Sequence, residues 1–359
     1  MTHSELLEYV LIPDILVPIS IYLGEDNIAI RFVCKQAHAS LASVPSGIRT
    51  HLSLEEIDDI ETKNSPTDLK ILYDIENREK VKHYVASLSR CIWARETLHM
   101  PLNESVCYAA IESGNLNVVK WLWLNACHSF PWNESVCQSM ANHGHLELLQ
   151  WARCQTPPCP WDNNVCRLSA WNGNLEMLQF ARSQVPPCDW NVDVCRDAAC
   201  NGHLAVVQWA RNQNPPCSWD SQVCRYAASN GHLNILQWVR SQNPPCPWDA
   251  SVCSYAALKG QLEVLRWARA QSPPCAWSAE LCSNAAWSGH FEILQWARNQ
   301  IPPCDWDAEA CENAARNGHL EVLQWARNQS PPCDWDIERC LRVSTEETMQ
   351  RWLRMQQND

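Results

Sequence analysis

The stretch W-D-S-Q-V-C-R-Y-A-A-S-N-G-H-L-N-I-L-Q-W-V-R-S-Q-N-P-P-C-P, residues Trp219 to Pro247, decides the fold. Asp220 is a good N-cap residue, because its carboxylate can accept a bond from an otherwise orphan N–H at a helix start. Val223, Cys224, Ala227 and Ala228 then fall at i, i+1, i+4 and i+5, the apolar stripe of a short helix. Asn230-Gly231 ends it, since glycine enters the left-handed conformation cheaply. His232 opens a second helix through Leu233, Ile235, Leu236, Trp238 and Val239. Pro244-Pro245 cannot continue that helix and predicts an extended turn. One such unit cannot bury its apolar faces alone, but stacked neighbours can.

Outward from this unit the pattern repeats. Trp132, Trp161, Trp190, Trp219, Trp248, Trp277, Trp306 and Trp335 follow one another at a constant interval of 29 residues. A second series at the same beat runs Trp151, Phe180, Trp209, Trp238, Trp267, Trp296 and Trp325, and the glycines keep it too from Gly144 to Gly318, with Gly114 one step of 30 earlier. Eight full repeats span 103–335. Upstream, Trp93 matches the ending of a second helix but has no clear first helix before it. Downstream, Trp352 closes the array without the Asn-Gly-His turn. Terminal repeats are expected to be atypical, because one face meets water.

The rest of the 359 residues bounds the function. Net charge is −12, and from residue 100 onward 25 acidic residues face 18 basic ones. Nucleic-acid affinity comes largely from clustered Lys and Arg, so no nucleic-acid partner is expected. The start of the chain lacks the basic residues of a signal peptide, and Tyr9 to Leu23 is interrupted by Pro13, Asp14 and Pro18. An intracellular, cytoplasmic protein with no membrane contact is expected, its 21 Cys held as thiols.

The residues A-A-x-N-G-H-L-E-V-L-Q-W resemble the ankyrin repeat, in which a first helix, a Gly-His turn and a second helix follow in that order. Ankyrin repeats are about 33 residues long; here the shortfall lies between repeats, where P-P-C-x-W stands. Repeats shortened in this way resemble those of large DNA viruses of protists, which would place the protein in a host cytoplasm. The resemblance covers roughly 68–359.

Residues 1–45 differ: they hold no Trp and are rich in Ile, Leu and Val. Ile12, Pro13, Ile15, Leu16, Ile19, Leu23, Val33 and Cys34 resemble an F-box, a small three-helix module. Pro18 and Ala37 depart from its pattern. The resemblance implies that these eight residues form an apolar face for a Skp1-like adaptor, and that 46–67 is a linker. The expected fold is therefore all-α: a helix-turn-helix solenoid of ankyrin-like repeats preceded by a small F-box-like domain.

No catalytic chemistry is legible. Seven P-P-C cysteines each precede a helix Cys by seven residues, as Cys217 precedes Cys224, which is poor spacing for zinc. A buried apolar role is expected for the helix thiols, with no metal and no cofactor. His145, His203, His232, His290 and His319 recur at one turn position, where capping and packing are expected. No phosphate loop, nucleophile elbow or triad appears, so the protein is not read as an enzyme.

Function is expected where the repeat varies. Five residues after successive helix cysteines stand Trp171, Cys200, Ser229, Leu258, Trp287 and Arg316, with Tyr226 and Tyr255 on a neighbouring line. By resemblance to ankyrin arrays, that position faces the partner-binding groove, and large aromatics and Arg are hot-spot material. The combined reading is a substrate receptor of a Skp1-cullin-F-box ubiquitin ligase. The alternative is a non-enzymatic scaffold that binds or sequesters a partner.

Overall fold

The computed structural model describes residues 78–97, 100–126 and 130–357. Every regular element among them is a helix. Residues 1–77 hold the F-box-like segment, with Ile12, Pro13, Ile15, Leu16, Ile19, Leu23, Val33 and Cys34, and the linker at 46–67. They lie outside the described residues.

The chain divides into two compact units that meet in sequence at Trp161 and Asp162. In the first, the described helices are α1 (Arg78–Val85), α2 (Leu88–Thr97), α3 (Glu104–Ser113), α4 (Leu116–Asn125), α5 (Glu134–Asn142) and α6 (Leu146–Arg153). The second opens with α7 (Asn163–Trp171), α8 (Leu175–Ser183), α9 (Asp193–Cys200), α10 (Leu204–Arg211), α11 (Ser221–Ser229) and α12 (Leu233–Ser241). It continues through α13 (Ala250–Leu258), α14 (Leu262–Arg269), α15 (Ala279–Trp287), α16 (Phe291–Arg298), α17 (Ala308–Arg316) and α18 (Leu320–Arg327). Helices α19 (Ile337–Val343) and α20 (Glu347–Gln357) close it. Helix α1 corrects one expectation: a first helix does stand ahead of Trp93, with Val81 and Val85 as its buried residues.

Within each unit the helices pair into antiparallel repeats, and the first helix of one repeat packs on the first helix of the next, as α11 does on α13. The sequence dictates each joint. Asp220 is extended (φ −146°) and its side chain accepts from the Gln222 N–H. Val223, Cys224, Ala227 and Ala228 are fully buried, as are Ile235, Leu236 and Val239 of α12. Gly231 sits at φ +78°, where a non-glycine residue is strained. Between repeats the chain makes no strand; a cis X-Pro bond, Asn243-Pro244 in this repeat, leads into the second proline and the P-P-C cysteine.

The histidine row packs between repeats and does not cap through its side chains. His232 occupies the N-cap position of α12, yet its ring makes no capping bond. Its Nε2 instead meets the Cys200 carbonyl at 3.1 Å, one repeat earlier. The ring fills the space above Gly202, where a Cβ would come within 2.7 Å of its Cε1. Glycine is therefore required twice over at residue 202, by a φ of +83° and by the imidazole. Gln261 fills the same space over Gly231 and Glu346 that over Gly318. Asn174, which replaces His in its repeat, does cap its helix, accepting from the Met177 N–H.

Candidate functional site

Each repeat presents two kinds of surface residue, one copied and one varied. The copied set lies where the second helix runs into the next repeat. Arg211, the last residue of α10, donates from Nη1 to the Cys217 carbonyl at 2.5 Å. Its guanidinium lies 3.9 Å from the centroid of Trp219. Trp219 in turn meets Trp238 edge-on, with centroids 6.3 Å apart. The same arrangement joins Arg182, Trp190 and Trp209, and again Arg240, Trp248 and Trp267. A cation over an indole is worth about 0.5–2 kcal/mol and an aromatic pair about 0.5–1.5 kcal/mol. These arginines were not singled out from the sequence, although the recurring W-A-R ending carried the signal.

The varied set lies at the ends of the first helices. Trp171 and Trp287 are exposed, at 44% and 42% of their surface. Arg316, at the same position one repeat after Trp287, is exposed too. Its guanidinium stands 5.9 Å from the Trp287 ring. Leu258 is half-buried. Ser229 departs from expectation: it is buried, and its hydroxyl donates to the Tyr226 carbonyl at 3.1 Å, completing the helix end. A small polar residue at this position turns inward where Trp and Arg cannot. Tyr226 and Tyr255 are half-buried, and Arg225 lies between them, 5.0 and 4.7 Å from the two rings.

Trp287 and Arg316 share a cleft of about 550 Å³ with Ala308, Glu309, Glu312, Asn313, Asp336 and Arg339. Glu312 is its centre. The residue is 6% exposed, and it accepts from Arg316 and from Arg339, each at 2.7 Å. A carboxylate taken out of water needs such partners. Asn313 beside it donates to the Ser283 carbonyl at 3.2 Å and locks α17 onto α15. Glu312 carries no signal in the sequence, because a charged residue at a helical position reads as solvated surface.

Elsewhere on this face the charges are paired across repeats. Arg196 binds the Asp220 carboxylate, and that bond holds Asp220 below the usual carboxylate range. Asp197 faces Arg167 at 3.4 Å, yet burial pushes its carboxyl up. Burial likewise raises the Cys200 thiol. The histidine Nε2 atoms of residues 145, 203, 232 and 319 each lie on a backbone carbonyl. No helix among the described residues is long and apolar enough to cross a membrane.

The cysteines pair differently from the sequence spacing considered above. Cys217 does not work with Cys224, seven residues on; its partner is Cys195, 22 residues earlier in its own repeat. The antiparallel helix pair brings the closing loop back beside the first helix, which sequence proximity does not show.

No known family model matches the sequence, and no curated protein matches it. Solved structures do. The chain is similar to the pentatricopeptide repeat protein PPR10 in complex with an 18-nt psaJ RNA element, at TM-score 0.41 and 11% identity. The alignment covers 89% of this chain and 52% of that one. It is also similar to the pentatricopeptide repeat protein PPR10 from maize, at TM-score 0.35 and 13% identity, covering 92% of this chain and 54% of the other. The chain thus spans about half the length of these structures. One expectation is corrected here: the exclusion of nucleic acid, drawn from net charge, is withdrawn, because a solved structure similar to this chain is an RNA complex. Overall charge measures the sum over a surface, whereas a partner meets only one face of it. Among the described residues, each compact unit is a helical-repeat solenoid built of 29-residue repeats.

Proposed function

We propose that this scaffold captures a protein partner on the first-helix ends of its second unit and performs no chemistry itself. The observation that carries the reading is the Trp287 cleft. A large indole is left exposed beside two arginines, at the one position where the repeats differ most. Aromatic and Arg side chains of this kind anchor protein interfaces. The position is free to vary because the fold asks nothing of it; Ser229 and Leu258 stand there equally well.

The finer reading adds delivery of the captured protein to a ubiquitin ligase, through residues 1–45 and a Skp1-like adaptor. It is supported by the F-box-like residues Ile12 to Cys34. It is also supported by the scarcity of acceptor amines: from residue 100 onward there are two lysines, Lys120 and Lys259, against 16 arginines.

Two binding measurements separate these readings. A pull-down with a purified Skp1-like protein should retain the full chain and lose a chain lacking residues 1–45. If the full chain is not retained, the ligase reading fails and the scaffold reading stands. Affinity capture on the full chain should enrich a protein that the Trp171→Ala/Trp287→Ala double variant no longer holds. Titration of single-stranded RNA over a salt series runs alongside. RNA bound equally by parent and double variant, with no protein lost, would overturn the protein-capture reading.

A further inference from the structure

The cysteine pairs of the second unit carry an inference that partner binding does not need. Two thiols recur in each repeat: one on the first helix and one in the P-P-C loop 22 residues later. Cys166 and Cys188, Cys195 and Cys217, and Cys224 and Cys246 are the first three pairs, and all six residues are at most 1% exposed. Within a pair the helix thiol lies against the backbone of the loop cysteine. The Cys224 Sγ reaches the Cys246 carbonyl at 4.0 Å, and the Cys166 Sγ the Cys188 carbonyl at 3.8 Å. Each loop thiol donates onward to a carbonyl at the start of that first helix, as Cys246 does to Asp220 at 3.3 Å and Cys217 to Asn191 at 3.2 Å. Both partners are anchored. The loop is held by the Cys217 N–H on the Ala210 carbonyl and by Arg211 on the Cys217 carbonyl.

We propose that these pairs are built dithiol sites, each able to close into a disulfide within its own repeat under a low-molecular-weight disulfide such as oxidised glutathione. One protein thiolate attacks the glutathione disulfide, forms a mixed disulfide and releases one glutathione. The second thiolate attacks the protein sulfur of that mixed disulfide and releases the other. Two protein thiols are oxidised, and their two electrons and two protons leave as two molecules of reduced glutathione. Thiols already held against each other close at a high effective concentration. Closure would tie each loop to its first helix and leave neighbouring repeats unlinked.

Rate and equilibrium part company here. For Cys282 and Cys311, the hydrogen bond to the partner thiol and then burial push the thiol up. In the first two pairs the bond from the partner thiol instead pulls Cys188 and Cys217 down. Only the thiolate attacks, and these sulfurs are at most 1% exposed, so glutathione reaches them through local opening and the interior pairs should close over hours. The exposed Cys154 should react within minutes and serves as the internal control.

The test is equilibration of the full native chain in glutathione buffers of rising oxidised fraction, followed by acid quench, alkylation and peptide mapping. The expected result is loss of two hydrogens per closed pair in the intact mass, with cross-linked peptides joining 166 to 188, 195 to 217, 224 to 246 and their successors at the same spacing. A Cys217→Ala variant should lose the 195–217 cross-link and keep the others; if that variant fails to fold, the map of the parent chain still decides. Two outcomes overturn the proposal. In one, Cys154 is modified while the pairs remain reduced at equilibrium, including a few degrees below the unfolding temperature. In the other, cross-links join cysteines at other spacings, such as 217 to 224.

Discussion

At the ends of successive second helices, Trp209, Trp238, Trp267, Trp296 and Trp325 recur with an Arg two residues on. At the ends of the first helices in the same repeats stand Cys200, Ser229, Leu258, Trp287 and Arg316. The first set is bound into a chain of contacts, arginine over indole and indole against indole, that passes from one repeat to the next. The second set touches little that is copied: Trp287 is 42% exposed while Trp238 is half-buried. Both positions can hold tryptophan, and only one of them keeps an aromatic ring in every repeat, Phe180 included. Identity across repeats therefore marks where neighbouring repeats hold one another, and variation marks the surface left free for something else.

The largest effect expected on that contrast comes from the copied interior. Leu236 is fully buried in α12, and its removal leaves a cavity that packed neighbours cannot collapse. Leu236→Ala should cost about 3–5 kcal/mol, measured by chemical denaturation. Because a repeat array is stabilised by nearest-neighbour contacts, hydrogen exchange should show the loss concentrated in α10 to α14. A loss below about 1 kcal/mol would mean that the copied positions are less tightly held than the structure shows.

A glycine pair sharpens the comparison at an intermediate magnitude. Gly202 and Gly231 share the left-handed conformation, so an alanine at either pays a strain of about 1–2 kcal/mol. They differ in what the new methyl meets. At Gly202 it meets the ring of His232, itself tied to the Cys200 carbonyl. At Gly231 it meets the end of the flexible Gln261 side chain. Gly202→Ala should therefore be the more destabilising by about 1 kcal/mol, a difference read from paired thermal melts. Equal losses would remove the imidazole from the account and leave backbone strain alone.

How much of this was readable in advance follows the same division. Asp220, Gly231, the apolar stripe through Ala228 and the stops at Pro244-Pro245 specify local geometry, and copying multiplied that signal until the repeat was unmistakable. Contacts between residues one repeat apart were not legible. The bond from His232 to the Cys200 carbonyl and the reach of Arg339 to Glu312 depend on how repeats nest, and the pairing of Cys195 with Cys217 depends on how one repeat folds back on itself. Helix α1, with only Val81 and Val85 buried among its described side chains, escaped for the converse reason, a sparse apolar stripe. On the varied face, exposure of Trp171 and Trp287 followed from their irregularity. The inward turn of Ser229 did not, since a serine closes its own helix end by a hydrogen bond that no spacing rule reveals.

The smallest expected effect is the most telling. Trp171 and Trp287 are large apolar residues whose exposure exacts a solvation cost that the fold itself does not recover. Trp287 retains a distant contact with Arg316, and its loss should cost no more than about 0.5 kcal/mol, the scale of an exposed cation over a ring. Trp171 should lie within about 0.5 kcal/mol of the parent, as surface substitutions do. Both alanine variants should thus melt within a degree or two of the parent chain. If either melts several degrees lower, that indole supports its neighbours as Trp238 does, and the varied positions are not a free surface. If both are neutral, stability gives no reason for tryptophan at residues 171 and 287. Their presence is then explained by what they touch outside the chain.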